Sequence, residues 1–163
     1  MDELAEAFSL ERVGKAGSKY DPDKARWFNQ QYLRGKDDAV LAKLLKQNYS
    51  DVKEVADSDE AFLAGVCGMM KERATFLADI PKEGSYFFAA PKEFDEKTTR
   101  KKWKDDSAAL MTEWLAEFST IEDYTAETIE TTFKSFLEQK EKGIGAVLPL
   151  FRLLVTGMGM GPS

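Results

Sequence analysis

The sequence contains no histidine and a single cysteine, Cys67, in 163 residues. Each absence removes a class of chemistry. One thiol cannot close an intramolecular disulfide, so the chain suits a reducing compartment and a cytoplasmic location is expected. One Cys and no His leave no basis for a Cys/His zinc site, and no metal ligand is assigned. A Ser-His-Asp or Cys-His relay and a His general base are excluded in the same way, and no catalytic residue is assigned. Cationic side chains are outnumbered: 23 Lys and Arg stand against 29 Asp and Glu, a formal charge of -6. A chain of that balance does not coat nucleic acid indiscriminately, because phosphate contacts dominate such binding. It can still carry a locally basic surface. Long apolar runs are missing too. The most apolar stretch, Ile144 to Met158, holds Pro149 and Arg152 and is shorter than the ~20 residues of a spanning helix. The opening Met1-Asp-Glu-Leu-Ala-Glu is acidic where a secretory leader is basic. Neither a leader nor a membrane partner is expected.

What is present is a helical pattern. Hydrophobic residues make up 43% and charged residues 32%, the balance of a folded, helix-rich domain. Asp21-Pro22 reads as an N-cap followed by proline at the first helical position, with Ala25, Phe28 and Tyr32 facing inward. Val40, Leu41, Leu44 and Leu45 form a second stripe that ends near Asn48. Asp57-Ser-Asp-Glu60 precedes a long predicted helix with the stripe Phe62, Val66, Met69, Met70, Phe76 and Leu77, closed by Pro81. The aromatic stretch Lys82–Pro91 lacks helical spacing and reads as an ordered connector packed by Tyr86, Phe87 and Phe88. A charged helix follows from Asp95 to Lys104. Asp106-Ser107 caps the next, with Leu110, Met111, Trp114, Leu115 and Phe118 inside. Thr125 caps a helix carrying Ile129, Phe133, Phe136 and Leu137 that ends at Gly143. The last helix starts around Ala146 and ends at Thr156-Gly157. The expected fold is all-α, two packed helical bundles, divided into 1–91 and 92–163.

Few residues suggest chemistry. Arg100-Lys-Lys-Trp-Lys104 is basic with an aromatic inserted, suited to phosphate contacts with Trp103 stacking or packing. On charge alone it reads more readily as a solvated face balanced by Glu93, Asp95, Glu96, Asp105 and Asp106. Arg73 lies four positions after Met69 and four before Leu77. Spacing alone favours a side chain that snorkels to a helix edge, while a packed helix could also offer its planar fork to a base or phosphate. Arg152 is the only charge from Gly143 to Ser163. Gly157-Met-Gly-Met-Gly161 only superficially resembles a phosphate loop, with no strand before it and no Lys-Ser/Thr after it. Asp37-Asp38, Asp57/Asp59 and Glu122-Asp123 read as caps and solvated turns.

Two longer stretches are more specific. Ser9–Arg34, SLERVGKAGSKYDPDKARWFNQQYLR, resembles the segment F-[SD]-L-E-R-V-x-K-x-[GA]-x-x-[FY]-D-x-x-K-[LA]-x-W-x-N-x-x-Y-[IL] of bacterial glutamyl-tRNA synthetases. Leu148–Gly157, LPLFRLLVTG, resembles the same family's P-L-R-x-A-L-T-G segment, with Gly161-Pro162 at its later small-residue-Pro step. Phe151 stands between Leu150 and Arg152 where the family often has Pro-Leu-Arg. The resemblance implies a class I enzyme whose Rossmann catalytic domain carries HIGH-like and KMSKS-like motifs. Neither motif is in this sequence. The implied object is the C-terminal, all-helical anticodon-binding region, a piece without its catalytic domain and without the apolar helix that follows in the family.

The resemblance also implies roles. Met70-Lys-Glu-Arg73 matches the family's M-x-x-R segment, whose arginine contacts the 3′ part of the anticodon. Arg152 matches an arginine at the first anticodon base, and Gly161 and Pro162 the loop shaping that base's pocket. Arg100, Lys101, Lys102, Trp103 and Lys104 are candidates for the tRNA backbone. The implied partners are the anticodon stem-loop of the glutamate tRNA and the parent's catalytic domain, with the chain a monomer. No cofactor is expected within this stretch; ATP and Mg belong to the implied catalytic domain. A helical protein–protein module with its Met- and Gly-rich end as the docking surface is the competing expectation.

Overall fold

The structure, a computed structural model, describes residues 2–10, 17, 19–159 and 161. Among these are ten α-helices, one short 3-10 helix and no strand, so the chain is all-α as expected. The helices are α1 (Asp2–Ala7), α2 (Pro22–Arg34), α3 (Asp38–Asn48), α4 (Lys53–Asp57), α5 (Glu60–Met70), α6 (Asp79–Glu83), α7 (Glu96–Lys102), α8 (Ser107–Phe118), α9 (Ala126–Gln139) and α10 (Ile144–Thr156). The 3-10 helix is Ser85–Phe87. Glu11–Ala16 of the first family-like segment lie outside the described residues, as does Pro162.

The caps follow the sequence. The Asp21 carboxylate accepts the N–H groups of Asp23 and Lys24, with Pro22 at the first helical position. Asp37, Asp59, Asp95 and Thr125 cap α3, α5, α7 and α9 in the same way. Each satisfies amides that the first turn of a helix leaves without partners.

Core residues gather in two clusters. The first takes Leu41, Ala42 and Leu45 from α3, Val55, and Leu63, Val66, Cys67 and Met70 from α5, with Leu33 and Ile80 closing its ends. Gly68 of α5 lies against the Asp38 side chain of α3, whose Oδ2 a Cβ there would meet at 2.8 Å. The second centres on Trp114, whose ring meets Phe118, Phe133, Phe136 and Phe151 at centroid distances of 4.9 to 5.8 Å. Val147 and Leu150 of α10 complete it. Phe151, the residue extra to the family pattern, therefore serves as a core aromatic. Between the clusters, α10 packs on α7 and on the 3-10 helix.

Several sequence expectations are corrected. The predicted long helix is two. It stops at Met70, and Pro81 lies inside the short α6. Proline can occupy a helix's first turn, where its missing N–H costs nothing. The buried stripe is Leu63, Val66, Cys67 and Met70, while Phe62, Met69 and Phe76 are exposed. On α2 the inner contact is Leu33, and Phe28 and Tyr32 face outward with Trp27. Leu115 and Val40 are also exposed. Part of the connector is helical, in α6 and the 3-10 helix. Asp106 makes no side-chain cap; the buried Ser107 Oγ instead accepts the N–H of Lys104 at 2.8 Å. Gly143 does not end α9 but precedes α10. α9 ends by a Schellman arrangement, with Lys142 N–H on the Leu137 carbonyl and Glu141 at φ 50°. The helices α1 and α4 were not read from the sequence.

Candidate RNA-binding cleft

Arg73 is not on a helix. It sits in the turn after α5, where α5 has ended and α6 has not begun. Its guanidinium donates to the carbonyl of Gly161, across 88 positions of sequence. Two residues assigned separately from sequence, Arg73 and Gly161, thus touch. They do so at a cleft of about 660 Å³ between the two clusters, walled by Met70, Arg73, Tyr86, helix α7, Pro149 and the Met158-Gly159 stretch.

Helix α7 gives this cleft its charge. At 100° per residue, Lys97 and Lys101 share a face, as do Thr98 and Lys102. Lys97, Thr98, Lys101 and Lys102 all line the cleft. Glu96 and Arg100 lie on the other side of the helix, paired at 3.0 Å, and line a different depression with Thr99. Glu96, one of the five carboxylates expected to balance the basic run, is therefore turned away from the lysines. Four cations, Arg73, Lys97, Lys101 and Lys102, face two carboxylates, Glu83 and Asp95, around the cleft. In a chain of charge -6 this is a concentrated reversal of sign. Asp95 is occupied by capping α7. Its bonds from Thr98 hold its carboxyl below the usual range.

The apolar wall is Tyr86. Burial raises its phenol, offset in part by Arg73, with Glu83 acting in the same direction as burial. Its hydroxyl donates to Met70 Sδ at 3.5 Å. Tyr86 also borders a second depression, formed by Ala89–Asp95 and Thr156–Met158. The glycines hold the walls together. Gly157 has φ 73°, and a Cβ there would lie 2.6 Å from the Glu93 carbonyl. Its own carbonyl accepts the Asp95 N–H at 2.8 Å. A Cβ on Gly159 would collide with Thr98 Oγ1. The glycine run is a close-packed strap against the first turn of α7.

The other candidates are distributed. Arg152 is half-buried on α10, one turn beyond Pro149, and does not line the main cleft. Trp103 packs against the second core. Lys104 lines a smaller depression with Lys101, Lys102, Lys142 and Asp106, where Lys142 bonds Asp106 at 3.0 Å and holds that carboxyl low. Sequence reasoning missed Lys97 and Tyr86. The i, i+4 spacing of Lys97 and Lys101 was the available signal for the first.

A family model described as "Anticodon binding domain" matches residues 23–163. The chain belongs to this family of anticodon-binding domains. It is 41% identical over 166 residues to the glutamate–tRNA ligase of Cytophaga hutchinsonii, covering 100% of this chain and 31% of the relative. It is 40% identical over 162 residues to the glutamate–tRNA ligase of Flavobacterium psychrophilum, covering 99% and 32%. Among solved structures, a glutamate–tRNA ligase from Elizabethkingia meningosepticum in complex with its amino acid superposes with a TM-score of 0.86 at 36% identity, over 99% of this chain and 32% of that one. The chain therefore spans about a third of the length of the enzymes it matches. Among the described residues, no helix is long and apolar enough to cross a membrane.

Proposed function

We propose that this chain binds the anticodon stem-loop of the glutamate tRNA and so positions that tRNA for ATP-dependent glutamylation by the longer enzyme. In this reading 1–91 and 92–163 are two helical units that hold the loop between them. The observation that carries the proposal is the clustering of Arg73, Lys97, Lys101 and Lys102 around one cleft of an otherwise acidic chain. Unpaired loop bases are recognised by stacking and by hydrogen bonds to their edges. Arg73 supplies a planar fork that does both, and the α7 lysines supply charge for the flanking phosphates. Gly161, whose carbonyl Arg73 bonds, borders the same end, and Pro162 is assigned with it to the base's pocket on the family resemblance alone. Arg152 is assigned to a neighbouring base, and Arg100 and Lys104 to the outer backbone. Trp103 acts by anchoring α7 to the core. ATP and magnesium are assigned to the longer enzyme, as the family resemblance implies, and no residue of this stretch is given to them.

The test is a titration with the anticodon stem-loop and with the same stem carrying a scrambled loop. The proposal expects tighter binding of the cognate loop, and Arg73→Ala to reduce that preference by roughly 1–3 kcal/mol. Equal affinity for both loops, or none for either, would remove the reading in favour of a docking module for protein.

A further inference from the structure

The turn that carries Arg73 is joined to the end of α5 by the Arg73 and Ala74 N–H groups on the Met70 carbonyl and by the buried Ala74, and side chains of α2 and α3 grip it along its length. Arg34, the last residue of α2, donates from Nη2 to the Glu72 carbonyl at 2.6 Å and pairs through Nε with the Glu72 carboxylate at 3.2 Å. Asn29, also on α2, donates from Nδ2 to the Thr75 carbonyl. Lys71 reaches Asp38 at the start of α3 at 2.8 Å and the Lys36 carbonyl at 3.2 Å. Inside the turn, the Asp79 carboxylate accepts the N–H groups of Thr75 and Phe76 at 3.0 and 2.8 Å. These bonds flank Arg73 on both sides in sequence. The Arg73 guanidinium itself goes the other way, to the cleft and the Gly161 carbonyl.

An eight-residue turn without such ties samples many backbone conformations, and fixing each residue costs about 1–2 kcal/mol. An arginine on such a turn reads a base more tightly when the backbone beneath it is already ordered, since ordering on binding is subtracted from affinity. We propose that Arg34 and Asn29 are positioning residues: from α2 they lock the 71–78 turn so that Arg73 is presented preorganised to an unpaired RNA base. Neither touches the cleft. The polar inner edge of α2 thereby acquires a function, as the frame behind the arginine. This inference rests on the reading of Arg73 as an RNA contact.

The experiment is a double-mutant cycle read by stem-loop affinity. Arg34→Met keeps the length and removes the donors; Asn29→Ala removes the second tie. Each is measured alone and with Arg73→Ala, against the cognate and the scrambled loop, with thermal unfolding recorded for every protein. The expected result is a loss of about five- to tenfold for Arg34→Met in the Arg73 background and less than about twofold in the Arg73→Ala background, because coupled residues do not add. Arg34→Lys, which retains one donor, recovers part of the loss. Full additivity, or no change in affinity on Arg34→Met and Asn29→Ala while Arg73→Ala still weakens binding, overturns the positioning role and leaves Arg73 as a contact. Unchanged binding by Arg73→Ala itself overturns the reading on which the inference stands. A drop in thermal midpoint with the coupling absent identifies a purely structural tie and counts against the proposal.

Discussion

Gly157 and Gly159 let the C-terminal stretch lie against α7 because neither carries a Cβ. Gly157→Ala adds a left-handed backbone penalty to a clash with the Glu93 carbonyl, and we expect a loss of about 1–3 kcal/mol in chemical unfolding. Cys67 provides a second check at this scale. Burial, with the Asp38 charge assisting and Lys71 opposing, pushes its thiol up from 9.0 to about 11. A group raised on folding contributes its full stability below its unfolded pKa and loses it as pH rises through the folded one. Wild type should therefore lose stability between pH 9 and about 11 in a way that Cys67→Ala does not, as urea unfolding across that range would reveal. The Lys71 ammonium, raised chiefly by its bond to Asp38, adds a loss of the same sign at higher pH, which Cys67→Ala retains. At the scale of single residues most caps were legible, because Asp or Thr before a helix readily accepts its first amides; Asp106 was the exception. Arg73 was assigned as a site residue only through family resemblance. Its bond to Gly161 joins residues 88 apart, and no local pattern encodes that.

Helix α7 shows why counting charges along a sequence misleads. Glu96 was read as part of the neutralising background of the basic run that Arg100 opens, but the helical turn pairs Glu96 with Arg100 and leaves Lys97, Lys101 and Lys102 together on the cleft side. Replacing those three lysines by alanine should lower the dependence of stem-loop binding on log salt by about 2–3. Arg100→Ala, on the opposite side and already paired, should change the slope by less. A triple variant with an unaltered slope would place the phosphates elsewhere. The existence of most of the longer helices was legible from periodicity, but helix phase was less so. On α2 the aromatic side looks like a core face, yet the helix is tied down by Leu33 and by the polar Asn29 and Arg34, so Trp27, Phe28 and Tyr32 remain outside. The single long helix expected over Glu60–Ile80 failed for a related reason. Phe76 and Leu77 continue the apolar rhythm, but the Asp79 carboxylate takes the amides of Thr75 and Phe76, which favours a turn over another helical bond.

At the scale of the molecule, one acidic chain places its main cationic cleft between two apolar clusters, and Met158, Gly159 and the Gly161 carbonyl close one end. The all-α architecture was legible from composition and spacing. The cleft was not, because its walls come from the turn after α5, the 3-10 helix, α7 and the end of α10, elements distant in sequence and joined only by packing. The measurement that tests the account most directly is hydrogen exchange of the chain alone and saturated with the anticodon stem-loop. Slowed exchange at 71–79, 97–104 and 156–161, with α8 and α9 unchanged, is the predicted result. Protection confined to the exposed face of α2 or to α8 and α9, with the cleft unaffected, would contradict it.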